Sequence, residues 1–143
     1  DDNAFITLRM SNNARGSIWV SSAATGGENG LKIRVYGTKG AVEWLQDDPN
    51  VLKYTELNNP TAIITRASNS VSNLSMKSSR VAAGHPEGFF EAFANIYTEF
   101  ADSIRSKKKY SSSVPSIEDG VKGIKFMFAT KESSDKNSKW IKL

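Results

Sequence analysis

Hydrophobic periodicity switches once along this chain, from two residues to between three and four, and no other feature restricts the fold as much. Ile6, Leu8 and Met10 alternate with Thr7 and Arg9, and Ile18 and Val20 keep that period with Trp19 on the opposite side. Leu31, Ile33 and Val35 share one face while Lys32, Arg34 and Tyr36 share the other. Successive side chains of a strand point to opposite faces, so the pattern predicts strands covered on one side. Further strands follow at Ala41-Val42-Glu43-Trp44-Leu45, at 51–57 and at Ala62-Ile63-Ile64-Thr65. The breaks are short and rich in turn formers: 11–16, Gly26-Gly27-Glu28-Asn29-Gly30, Gly37-Thr38-Lys39-Gly40, Asp47-Asp48-Pro49-Asn50 and Asn58-Asn59-Pro60. Connections this short join antiparallel neighbours, because a parallel pair needs a crossover of about a dozen residues or more. Gly37 and Gly40 are free to take positive φ in their turn.

Beyond Thr65 the alternation stops. Residues 66–83 are rich in Ser and Asn and read as a surface loop with Arg80 near its end. Phe89, Phe93, Ile96, Tyr97, Phe100 and Ile104 then recur at helical spacing and make a wide apolar stripe. Pro86 and Glu87 suit the first turn of that helix, one lacking the N–H that would go unpaired, the other negative at the positive end of the dipole. A second helix opens at Ser116, an N-cap with Asp119 in the capping-box position, and Ile117, Val121, Ile124 and Phe128 form its expected buried stripe. Gly120 and Gly123 cost helix propensity, which close packing onto a sheet would explain. Residues 140–143 are placed to add a last short strand. Strands first and helices afterwards imply an α+β fold: an open-faced, mostly antiparallel β-sheet with two long helices packed on one face, as a single domain over 1–143.

Composition narrows the function. The 143 residues suffice for a core without staples. No apolar run reaches the ~20 residues that span a bilayer. Cysteine is absent, which removes thiol catalysis and zinc-thiolate sites and is compatible with a cytoplasmic location. The net charge of +4 raises nucleic-acid binding, but the excess is largely Lys107-Lys108-Lys109 beside Ser111-Ser112-Ser113 and the 136–142 tail. Dispersed lysines of that kind read as solvation, so no nucleic-acid partner is expected. The chain starts without Met and enters a strand at once, as a piece of a longer protein would.

No Gly-x-Gly-x-x-Gly, Walker lysine loop or nucleophile elbow occurs, and one histidine without cysteine builds no common zinc site. The chain therefore offers no complete catalytic apparatus, no catalytic residue and no metal site. Two residues remain as substrate-binding candidates. His85, the sole histidine, stands where strands hand over to a helix, and its ring either donates to a substrate hydroxyl or carboxylate or caps the helix and bonds a nearby carbonyl. Arg80 is either a ligand for an anionic substrate or a surface side chain. Trp19, Arg34 and Tyr36 give the second sheet face the aromatic and arginine character of a subunit interface, and self-association through it is expected.

Four segments in order resemble the C-terminal domain of the glucose–fructose oxidoreductase, inositol dehydrogenase and MocA (Gfo/Idh/MocA) family: residues 11–17, 31–44, 84–97 with its Gly84-His85-Pro86-Glu87-Gly88 opening, and 115–123 running on to Ser133 and Trp140. The resemblance implies NAD(P)-dependent oxidation or reduction of a sugar, sugar derivative or cyclitol. In such proteins an N-terminal Rossmann domain holds the cofactor and supplies a catalytic Lys, and the C-terminal domain completes the substrate pocket and mediates oligomerisation. The Rossmann half, its Lys-Pro pair and an Asp/His catalytic segment are all missing here. The resemblance therefore implies a fragment that binds no cofactor itself and is inactive alone, NAD or NADP belonging to the full-length parent. A stand-alone binding or oligomerisation module is the alternative.

Overall fold

A computed structural model of the chain describes residues 2–106 and 114–143. Lys107-Lys108-Lys109 and Ser111-Ser112-Ser113, the centre of the basic stretch, lie outside the described residues. The chain is α+β: among the described residues six strands (β1, Asn3–Arg9; β2, Arg15–Ser21; β3, Lys32–Tyr36; β4, Gly40–Leu45; β5, Val51–Glu56; β6, Ala62–Thr65) precede three helices (α1, Asn73–Ser78; α2, Phe89–Ser106; α3, Ile117–Asp135). Every pairing among them is antiparallel, within a β1-β2 ladder and a β3-β4-β5-β6 sheet. The chain divides into two compact units, Asp1–Glu28 with Pro115–Leu143, and Asn29–Val114.

In the first unit the alternation sorts β1 as expected and β2 in part, since Val20 (57%) and Met10 beyond β1 (49%) are exposed. Ala4, Ile6, Leu8 and Ile18 are half-buried while Phe5, Thr7, Arg9 and Trp19 are exposed. Phe5 pairs in register with Trp19 and their rings stack at 5.9 Å. Helix α3 begins where Ser116 and Asp119 foretell: the Ser116 hydroxyl accepts from the Asp119 N–H and the Asp119 carboxylate accepts from the Ser116 N–H, a full capping box. The Ser116 N–H, then Lys122 and the Ser116 hydroxyl, hold the Asp119 carboxyl below its ordinary range. The expected burial of the α3 stripe is corrected. Ile117 is 80% exposed and Phe128 71%, so this face meets no described partner that covers it. A Cβ at Gly120 or Gly123 would meet no atom within 4 Å, so close packing does not account for either glycine. Residues 140–143 form no strand; Trp140 instead lies under the Arg9 guanidinium, 4.8 Å from the ring centre.

In the second unit the register puts Ile33, Val35, Val42, Trp44, Tyr54, Leu52 and Ile64 on one side of the sheet. The other side carries Lys32, Arg34, Tyr36, Glu43, Lys53 and Ile63, as the pattern of β3 foretells. Glu43 joins Lys32 (3.0 Å) and Lys53 (3.3 Å) across three strands, and the Lys32 ammonium, seconded by Lys53, lowers its carboxyl from the ordinary value. The turn before β4 departs from expectation, since neither Gly37 nor Gly40 takes positive φ. Gly40 is needed for closeness: a Cβ there would stand 2.6 Å from the Thr55 carbonyl oxygen.

The stretch read as loop contains α1, one short helix capped by the Ser72 hydroxyl, which accepts from the Ser75 N–H. The opening of α2 also differs. Pro86 and Glu87 precede the helix, which starts at Phe89. Gly88 takes the N-cap place, its carbonyl accepting from Ala92 and its N–H donating to the Glu91 carboxylate at 2.8 Å. That bond, with the one from its own N–H, holds the Glu91 carboxyl below its ordinary value. Glu87 is withdrawn from the helix by tertiary partners described next.

Candidate functional site

Arg66, just past the end of β6, is only 15% exposed along its side chain and reaches Val81, Ala82, His85 and Glu87. Its Nε donates to Asn50 Oδ1 (3.1 Å), Nη1 to the Val81 carbonyl (3.0 Å), and Nη2 to the carbonyls of Ala82 (3.0 Å) and His85 (2.6 Å). Nη1 also reaches the Glu87 carboxylate at 2.8 Å. Those contacts match the five N–H donors of a guanidinium in its fixed fork. Glu87, 7% exposed, accepts further from the Arg80 N–H (3.0 Å to each oxygen) and the Val81 N–H (3.1 Å). The Asn50 oxygen closes the circle by accepting from the Glu87 N–H at 3.1 Å.

Elementary electrostatics explains why the segment folds this way. A nearly buried carboxylate is costly unless paired and hydrogen-bonded, and here the guanidinium and backbone amides do both. Three carbonyls converging on one point would repel without the guanidinium between them. Gly84, at φ +82°, supplies the left-handed residue that lets the chain double back. His85 N–H then donates to the Ala82 carbonyl at 3.2 Å.

The two sequence candidates fare differently in this frame. His85 is exposed at the tip of the clamped segment, its backbone held and its ring in no hydrogen bond to a described residue. The ring does not cap α2, whose N-cap place belongs to Gly88. Arg80 is exposed as a residue, but its guanidinium is turned to α2: Nε donates to Asn95 Oδ1 (2.7 Å) and Nη2 to Thr98 Oγ1 (2.6 Å). Asn95 in turn donates to the Ser78 carbonyl, tying α1 to the same helix. Arg80 thus braces the site from one end while His85 is presented at the other. No local pattern marks Arg66 or Asn50, and Glu87 serves this cluster and not the helix dipole. Their contacts join positions up to 37 residues apart, which no local pattern encodes.

Among the described residues no three His, Asp or Glu side chains gather as a metal site would require. No described helix is long and apolar enough to cross a membrane. A shallow cleft of about 240 Å³ lies at the Gly37–Gly40 turn beside Leu57, Asn58 and Asn59, and neither candidate lines it. The Arg66 cluster, built from an ion pair and a ring of hydrogen bonds, is the more organised feature.

Comparison with known proteins gives a consistent answer. The C-terminal alpha/beta domain of the Gfo/Idh/MocA oxidoreductase family matches residues 1–143. An uncharacterised oxidoreductase of Bacillus subtilis, YfiI, is 31% identical over 147 residues, covering 99% of this chain and 37% of that protein. The crystal structure of an oxidoreductase from Sinorhizobium meliloti is similar at a TM-score of 0.90 with 46% identity, over 99% of this chain and 42% of its own. An inositol dehydrogenase homologue from Azotobacter vinelandii, solved with NADH and myo-inositol, matches at a TM-score of 0.90 and 29% identity over 100% of this chain and 39% of its own. The chain therefore spans about two fifths of the length of these relatives.

Proposed function

This chain belongs to the Gfo/Idh/MocA oxidoreductase family as its C-terminal alpha/beta domain, and from that premise we propose that it walls the substrate site of a cytoplasmic NAD(P)-dependent oxidoreductase acting on a sugar, sugar derivative or cyclitol. The observation that carries this reading is the whole-chain likeness to a homologue solved with NADH and myo-inositol. The clamped segment supports it, because it presents one imidazole, a hydrogen-bonding group suited to hydroxyls, on a backbone held by the Arg66 guanidinium and the Glu87 carboxylate.

The residues here do not fit a dinucleotide. The described strands are all antiparallel, and no glycine-rich turn leads from a strand into a helix N-terminus as a pyrophosphate cradle requires. NAD or NADP would be held by the rest of a longer parent, and hydride transfer with it, leaving this chain inactive by itself. His85, and Arg80 behind it, would then contribute to binding and not to bond-making. Self-association through the exposed strand faces bearing Trp19 in one unit and Arg34 and Tyr36 in the other belongs to the same proposal.

In the intact oxidoreductase, His85→Ala should raise KM for the polyol about tenfold and change kcat little, the loss expected for a group that binds ground and transition states alike. An unchanged KM would remove His85 from the pocket.

A further inference from the structure

The Arg66 fork holds four residues of one segment: Val81, Ala82, His85 and Glu87. Residues 81–86 are exposed and adopt no regular secondary structure. Within them the backbone makes one turn bond, from His85 N–H to the Ala82 carbonyl. The carbonyls of Val81, Ala82 and His85 all depend on one guanidinium, and the shortest of those contacts, 2.6 Å, goes to His85 itself. The ring's origin is therefore set from below by a charge that does not touch the ring.

We propose that Arg66 is a positioning residue for His85, fixing where the imidazole stands, with Asn50 and Glu87 holding the fork in orientation. This rests on the reading that His85 lines the substrate pocket. Asn50 accepts from Nε and orients the plane of the guanidinium. Glu87 ties Nη1 and, through the Arg80 and Val81 amides, fixes the start of the segment that ends at His85. Lysine cannot replace this arginine, since its ammonium has three donors around a point and no planar fork. A residue acting only through another should show its effect only while that other is present.

The test uses the intact oxidoreductase with His85→Ala, Arg66→Lys and the double variant, followed by steady-state kinetics, and amide hydrogen exchange on Arg66→Lys. Arg66→Lys should raise KM about five- to tenfold with kcat nearly kept, and the double variant should be no worse than His85→Ala alone. Exchange should quicken at the His85, Arg80 and Val81 amides and stay unchanged in β4. KM losses that multiply in the double variant overturn the positioning role while leaving the pocket reading intact. A His85→Ala variant with normal KM overturns the pocket reading and the positioning role with it, even if exchange quickens. Unchanged exchange overturns the clamp itself. Should Arg66→Lys fold poorly, Asn50→Ala removes one arm of the clamp, and its KM effect must likewise vanish in the His85→Ala background.

Discussion

Glu87 carries a heavy local burden. One carboxylate, 7% exposed, accepts from two backbone amides and from the Arg66 guanidinium. A charge in that position is stabilised because three N–H donors converge on it, and removing the charge leaves the guanidinium short of its counter-ion. Glu87→Gln keeps the shape and should destabilise the Asn29–Val114 unit by about 2 kcal/mol, well above the worth of an exposed ion pair. Urea unfolding followed by Trp44 fluorescence measures it, since Trp44 belongs to that unit and its indole is anchored on the Pro49 carbonyl. A loss below about 0.5 kcal/mol would place the pair among ordinary surface contacts. By contrast, Arg105–Asp102, widely exposed and in the same unit, should be almost silent in the same assay.

At the scale of elements, strands and helix faces were legible because their signal is local. Side-chain alternation fixes the face of a strand within a few residues, and the register of β3, β4 and β5 agrees with the faces read from Leu31 to Tyr36. The Ser116–Asp119 box marks the start of α3 for the same reason. The opening of α2 was not legible, because Asn50 and Arg66, distant in sequence, decide how 80–88 runs. Burial was not legible either, since a stripe states only that a partner is wanted. On α2, Phe93 remains 44% exposed and Phe89 62%, while their rings contact each other at 4.8 Å along the helix. Gly120 and Gly123 turn that difference into an experiment. With open space around both, Gly120→Ala and Gly123→Ala should each stabilise α3 by up to about 1 kcal/mol in this chain, read as a rise in thermal midpoint by circular dichroism. Destabilisation would mean that the glycines admit a close neighbour after all.

At the scale of the whole molecule, exposed apolar surface is the fact to explain. No described residue is fully buried, and the apolar faces of α2 and α3 and the edge residues Ile33 and Val35 stand open to solvent. Soluble monomers seldom leave contiguous patches of this kind uncovered. The relatives are longer by more than twofold, since this chain spans 37% of one and 42% of another. Self-association, as proposed above, would add a second route to cover such surface. The 143 residues should run larger than a monomer in size-exclusion chromatography with light scattering, and Arg34→Glu with Trp19→Ser should shift them toward the monomer. A strict monomer at high concentration would count against the interface.

The central claim, that these residues wall a substrate site whose reacting groups lie elsewhere, is tested most directly by NAD(P)-linked turnover on a panel of cyclitols and sugars. The intact oxidoreductase and the 143 residues alone are assayed side by side. Turnover by the intact protein with none by the isolated chain is the predicted result. Measurable turnover by the isolated chain would contradict it.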